Sequence, residues 1–262
     1  MAEIFNPKNF LIDKVRRVTQ VNLATDLVDW TMTSIESPQI EFTGESTEKA
    51  DAQGTLIAKF DTAKGATFSG EGSLLSVPML ASQLGTQVEV ASQNAMVSGE
   101  TFEILTLNAG TATMSYTPTT VPSHVYAISA DKNIGEAIAV GSGEDNASIS
   151  NGVITMPASY NGALVGVHYE FQTDSAVKVV DDSQNYAEAA KYMVDLLVCD
   201  VCNPSVKRAG TLVFPKAKID NNVTIDLTTE GTHPFSFEAL KDYCNDAGEI
   251  LCYWLFPEKT VA

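Results

Sequence analysis

Apolar and polar residues alternate with period two over Gln39-Ile40-Glu41-Phe42-Thr43, and the alternation returns at Thr55-Leu56-Ile57-Ala58-Lys59-Phe60 after a polar stretch from Gly44 to Gly54. Successive strand side chains point to opposite faces, so this spacing predicts a β-hairpin with a long acidic tip. Asp51-Ala52-Gln53-Gly54 supplies the turn chemistry at its far end. A second turn at Lys64-Gly65 is expected to lead into another strand over 66–71. Next, Leu74, Leu75, Val77, Leu80, Ala81 and Leu84 recur at helical spacing, with Ser73 as N-cap, Pro78 as an internal obstacle and Gly85 as a stop. That pattern predicts a short or interrupted helix over 73–84, packed on the sheet.

Before the hairpin, the apolar residues Phe5, Phe10, Leu11, Val15, Val18, Val21, Leu23, Leu27, Val28 and Trp30 follow neither period. Residues 1–35 are therefore expected to form an extended N-terminal arm with one short helix. Its apolar residues need cover from their own domain or from a neighbouring subunit. Residues 100–172 read as a run of short strands separated by turn residues, over 101–107, 111–116, 124–129, 137–140, 147–150, 153–156 and 163–171. Asn151-Gly152 between alternating runs demands a tight hairpin, because both central residues must take positive φ. The last segment adds strands over 176–180, 192–202, 210–214 and 222–228, a stretch over 188–197 whose pattern fits helix as well as strand, a short helix over 235–243 and a closing strand over 250–256.

The fold class that follows is mainly β: a β-sandwich or closed barrel with one or two short flanking helices, a long hairpin and an extended N-terminal arm. Its expected organisation is an arm over 1–35, a first part of the main β domain over 36–99, a β-rich segment over 100–172 that is an inserted or outward-facing module, and a closing part over 173–262.

Composition narrows the function. Sixteen Lys and Arg against 33 Asp and Glu give a net charge of −17, which repels phosphate backbones and excludes tight nucleic-acid binding. The same charge keeps a free subunit soluble, and a conduit wall of this sign would let a moving polyanion pass without sticking. The longest apolar stretches fall far short of the roughly 20 residues needed to cross a bilayer, so no membrane partner is expected. Residues 1–10 lack the continuous apolar core of a secretory signal, and synthesis in the cytoplasm is expected.

Chemistry-bearing motifs are sparse. Cys199 and Cys202 form a C-x-x-C pair, with Cys244 and Cys252 further on, but Leu196-Leu197-Val198-Cys199 and Leu251-Cys252-Tyr253 read as strand interiors, not metal-wrapping knuckles. Reduced, buried thiols are the expectation, ahead of zinc or a disulfide. His124, His168 and His233 stand in no ligand spacing, and no G-x-S-x-G elbow nominates a nucleophile. Gly70-Glu71-Gly72-Ser73 lacks the lysine of a phosphate-binding loop and reads as a plain turn. Asp181-Asp182, Asp195 and Asp200 have no calcium-loop spacing. No catalytic, cofactor-binding or metal-ligating residue is nominated, and no cofactor is expected.

Three patches resemble a known class. Phe42-Thr43-Gly44-Glu45, then Asp51-Ala52-Gln53-Gly54-Thr55-Leu56-Ile57-Ala58-Lys59-Phe60, then Lys64-Gly65-Ala66-Thr67-Phe68-Ser69-Gly70, resemble the long hairpin and following strand of tailed-bacteriophage virion proteins, most of all major tail tube proteins. The runs Phe214-Pro215-Lys216-Ala217-Lys218-Ile219-Asp220, Ile225-Asp226-Leu227-Thr228 and His233-Pro234-Phe235-Ser236-Phe237 share that texture. The resemblance implies a virion component, not an enzyme, made in the host cytoplasm and polymerising into stacked rings around a DNA-conducting channel. The partners it implies are further copies of the chain in a ring or helical homo-oligomer, with hexameric rings as one option, other virion proteins, and DNA only as a non-sticking passenger. Under it, Phe5, Phe10 and Leu11 of the arm and Phe42, Leu56, Ile57 and Phe60 of the hairpin form the subunit interface. Glu45, Glu48 and Asp51 place acid at a lumen or interface. A capsid-decoration or other head protein is the alternative within virions, and a carbohydrate-binding β-sandwich module is the alternative from another class.

Overall fold

The computed structural model describes residues 10–201, 204–242 and 249–256. Contacts divide the chain into two units, one formed by Met1–Val88 with Val179–Ala262 and the other by the intervening Glu89–Lys178. The first unit opens with β1 (Phe10–Asn22), β2 (Val28–Met32), β3 (Ile35–Ala50), β4 (Leu56–Gly72) and α1 (Val77–Leu84). The second holds β5 (Glu89–Val90), β6 (Val97–Thr106), β7 (Thr111–Thr113), β8 (His124–Ile128), β9 (Ile134–Ala139), β10 (Ser148–Ser150), β11 (Val153–Thr155), β12 (Leu164–Thr173) and β13 (Val177–Lys178). The chain then completes the first unit with β14 (Ala189–Asp200), β15 (Lys207–Ile219), β16 (His233–Ala239) and β17 (Tyr253–Leu255).

The first unit is one antiparallel sheet in the order β2-β1-β14-β15-β16-β4-β3, with β17 also paired to β15. One face is apolar: Val18, Trp30, Phe68, Tyr192, Val194, Phe214, Phe235 and Phe237 bury together, and Tyr192 stacks on Phe237 with ring centroids 4.1 Å apart. In β15, Phe214 and Ala217 are both buried although three residues apart. A bulge explains this, since Tyr192 pairs with Phe214 but Ala190 pairs with Ala217, which leaves Pro215 and Lys216 in the irregularity. A proline without an N–H is tolerated at such a break in the ladder.

Several sequence expectations change here. Over its described part the N-terminal stretch is extended but contains no helix: β1 pairs with β14 along its whole length and β2 folds back on it. Burial of Val18, Val21, Trp30 and Met32 against the sheet supplies the cover those residues needed. Lys64-Gly65 is not a turn, because β4 runs unbroken to Gly72. Gly65 sits opposite Thr43, and a Cβ there would lie 2.5 Å from the Thr43 Oγ1 atom, so the glycine admits a close cross-strand neighbour. Residues 235–239 form the alternating strand β16, not a helix, because the open edges of β15 and β4 offer it ladder bonds on both sides. Residues 222–228 form no strand; Leu227 lies almost fully exposed, with no apolar surface to drive pairing.

The expected helix is present but shorter. Ser76, not Ser73, caps it, its Oγ accepting from the Met79 N–H at 3.4 Å, and Pro78 falls in the first turn where a missing N–H costs little. Gly85 ends it at φ +72°, a conformation glycine adopts without strain. Met79 and Ala81 reach the apolar core. Gln83 is fully buried too: its amide donates to the Pro234 carbonyl at 3.1 Å and its Oε1 meets His233 Nε2 at 2.8 Å.

In the second unit, a four-stranded sheet ordered β6-β12-β8-β9 and a three-stranded sheet ordered β10-β11-β7 share one core of Leu107, Met114, Val125, Ile154, Val165, Val167 and Tyr169. β10 and β11 meet through Asn151 at φ +49° and Gly152 at φ +76°, as the Asn-Gly pair predicts. β5 and β13 pair where the chain enters and leaves this unit. The protein is thus mostly β, built from several antiparallel sheets without a closed barrel among the described residues. No helix of the described residues is long and apolar enough to cross a membrane.

Candidate assembly interface

The hairpin of β3 and β4 is rooted where Ile40 faces Phe68 and Phe42 faces Ala66, with Ala66 and Phe68 buried. Beyond that root its residues lie open on both faces as far as the turn. At about 3.3 Å per residue the projecting ribbon spans roughly 25–30 Å. A two-stranded ribbon is marginal in water alone, so its length calls for cover. Phe42, Leu56, Ile57 and Phe60 are each more than half exposed along it. Residues directly opposite in an antiparallel pair share a face. Phe42 and the Leu56–Ala50 pair therefore lie on the core-side face, while Phe60, opposite Thr47, lies on the other. Both faces carry apolar surface.

The acidic tip separates into different roles. The Asp51 carboxylate accepts from the Gln53 and Thr55 N–H groups at 2.9 and 2.8 Å and so builds the turn, with Gly54 at φ +84°. Glu48 pairs with Lys59 across the strands at 3.1 Å, both well exposed. Glu45, opposite Ala63, forms no ion pair with a described residue.

On β1, Phe10 is half-buried and packs against Phe256 with ring centroids 4.4 Å apart and planes tilted by 52°, while Leu11 and the following Ile12 are more than half exposed. Phe5 lies outside the described residues. The structure thus gathers Phe42, Leu56, Ile57 and Phe60 on one ribbon and sets Phe10 and Leu11 on β1. Sequence reasoning missed Ile12, Lys14 and Arg16, although three bases within residues 14–17 of so acidic a chain are a usable signal. Two nearby bases are neutralised within the subunit, Arg17 by Asp195 at 2.9 Å and Lys207 by Asp13 at 2.8 Å, and the Lys207 hydrogen bond lowers the Asp13 pKa. Lys14 and Arg16 form no ion pair with a described residue, although the Lys14 charge also helps to lower the Asp13 pKa.

Two strand edges are open here. β3 ends the sheet and is paired on one side only. β2 covers β1 only through Val18–Val21, so the edge of residues 11–17 facing away from β14 carries no strand among the described residues. Such an edge presents a row of unmet N–H and C=O groups and templates pairing with another chain.

Elsewhere the polar groups have structural employment. The Asp182 carboxylate caps the Gln184 and Asn185 N–H groups at 2.8 Å, which lowers its pKa. Gly70, Glu71 and Gly72 are strand residues opposite β16. Cys199 is buried and Cys252 partly so, both as free thiols, and burial raises the Cys252 pKa; Cys202 and Cys244 lie outside the described residues. Among the described residues no three His, Cys, Asp or Glu side chains gather as metal ligands.

A family model described as the YomU/Tube protein family matches residues 10–251. No curated protein matches the chain.

Proposed function

This chain belongs to the YomU/Tube protein family, and from that premise we propose that it is a phage tail tube subunit that polymerises into stacked rings around a DNA-conducting channel. The observation that carries the reading is the projecting ribbon of β3 and β4, exposed on both faces and ending the sheet on a 16-residue strand that is paired on one side only. Exposed edges of that length are ordinarily blunted or covered. A second copy supplies both the apolar cover for Phe42, Leu56, Ile57 and Phe60 and partners for the backbone groups. The role is structural, with other virion proteins as further neighbours. An excess of 17 negative charges per chain suits a conduit for DNA, because a wall displaying part of it repels the passing phosphates. The unit Glu89–Lys178 is then a module inserted into the tube domain.

Negative-stain microscopy and sedimentation of the purified full chain test this. Rings or tubes of uniform diameter that grow with concentration are the expected result. A strictly monomeric species at all concentrations would overturn the reading.

A further inference from the structure

Two glutamates face each other in the second unit: Glu170 of β12 stands directly opposite Glu100 of β6, and both are exposed. Directly opposed residues share a face of the sheet, and like charges placed so destabilise it. The four strands β6, β12, β8 and β9 contain no Lys or Arg to relieve the repulsion. Among the described residues the pair's ion-pair neighbour is His168, whose Nε2 lies 3.7 Å from the Glu100 carboxylate, while the Lys178 ammonium donates to the Ser98 carbonyl at 3.2 Å. An aromatic surface adjoins this acid. Phe102, opposite His168, and Ile104, opposite Gly166, are each 41% exposed on the same face. The alternate residues Val165, Val167 and Tyr169 fill the core, so this face is the outward one. A Cβ on Gly166 would lie 2.5 Å from the Phe102 ring and 2.9 Å from Ile128, so the glycine lets the ring approach the sheet closely. The half-buried Tyr126 flanks it, with ring centroids 6.4 Å apart. Covering a strand glycine accounts for the place of the Phe102 ring, but it leaves the opposed glutamates unexplained.

We infer that this face docks an arginine-bearing segment of a partner protein. A guanidinium stacks on an exposed aromatic ring and presents a fork of N–H donors that fits carboxylates. Phe102 supplies the ring, Glu100 and Glu170 the acceptors, and Ile104 the apolar surface for the aliphatic stem. Charge complementarity selects the occupant: the paired acid repels nucleic acid and acidic proteins, and a bound cation cancels the repulsion within the ladder. Every residue of the face belongs to the second unit and none to the hairpin, so this docking is independent of the tube reading.

Fluorescence anisotropy of the full chain with a labelled hexapeptide alternating arginine and leucine, at physiological ionic strength, tests this. The wild type is expected to prefer it to the same peptide with lysine in place of arginine. Glu100→Gln with Glu170→Gln is expected to weaken binding by about tenfold or more. Phe102→Leu keeps an apolar cover over Gly166 and is expected to erase most of the preference for arginine. A chain of net charge −17 attracts any polycation, so Glu144→Gln with Asp145→Asn, which removes the same charge from an exposed loop of this unit, is the control and is expected to bind as the wild type does. Circular dichroism and thermal midpoints establish folding, and the near-isosteric glutamine pair decides the matter if Phe102→Leu misfolds. No binding, binding unchanged in the glutamine pair, or an equal loss in the control pair would overturn the inference. Binding of a glucosamine hexamer in place of the peptide would overturn the assignment of a protein partner.

Discussion

Gln20 is the residue on which the buried polar network of the first unit converges. Its Oε1 accepts from the Trp30 Nε1–H at 2.7 Å and the Tyr192 hydroxyl at 3.0 Å, and its amide donates to Asp29 at 3.0 Å. Burial pushes the Tyr192 hydroxyl pKa well up, so it remains a proton donor throughout the working pH range. Gln20→Leu strands two buried donors and is expected to cost roughly 2–4 kcal/mol, read as a lower urea midpoint with unchanged slope. His233 offers a pH readout. Its Nδ1 accepts from the Ser76 N–H at 3.2 Å, so Nε2 carries the proton donated to Gln83, and the neutral ring uses both nitrogens. Desolvation holds its pKa below the ordinary 6.5. A depressed pKa means that the unfolded chain binds the proton first. The stabilisation is therefore fully present above pH 6.5 and is lost as pH falls through the folded value. Urea midpoints of wild type and His233→Gln at pH 7.5 and 5.5 are expected to differ less at the lower pH. Gly85→Ala is expected to cost about 2 kcal/mol or more, since it strains a positive φ and drives a Cβ to 2.2 Å from the Tyr186 backbone.

At the scale of elements, the hairpin separates stability from assembly. Its distal half contributes little to the core, so replacing residues 43–64 with a short glycine-containing turn is expected to leave the thermal midpoint within a few degrees of wild type while abolishing higher assembly in sedimentation. Asp51→Ala removes the acceptor for two turn N–H groups and is expected to lower assembly without changing the core, by loosening the ribbon tip. The hairpin was legible in the sequence as alternation on both sides of a turn. Its true reach was not, because Gly44, Glu45 and Lys64-Gly65 carry turn-like composition yet lie in strands. Cross-strand pairing overrides local preference there, and the Thr43 hydroxyl against Gly65 is the visible reason. The same override converts residues 235–239 from helix to strand, where two open edges outweigh helical spacing.

At the scale of the whole molecule, the entry and exit of the second unit are tied together by the β5–β13 pair, with the Ala91 N–H donating to the Ala176 carbonyl at 2.8 Å. Joining Val88 to Val179 through a short linker is expected to give a chain that keeps its β circular dichroism and still assembles, since the first unit has its own core. The sequence by itself determined the β class, the Asn-Gly hairpin, the helix stop at Gly85, the acidic balance and the lack of a catalytic motif, because these follow from period, turn chemistry and composition within a few residues. Only the tertiary structure decided that β1 and β2 join the main sheet, that Glu48 pairs with Lys59 across the hairpin, and that β3 ends the strand order. Those are properties of long-range pairing, and a residue's partner across a sheet leaves almost no mark on its neighbours in the chain.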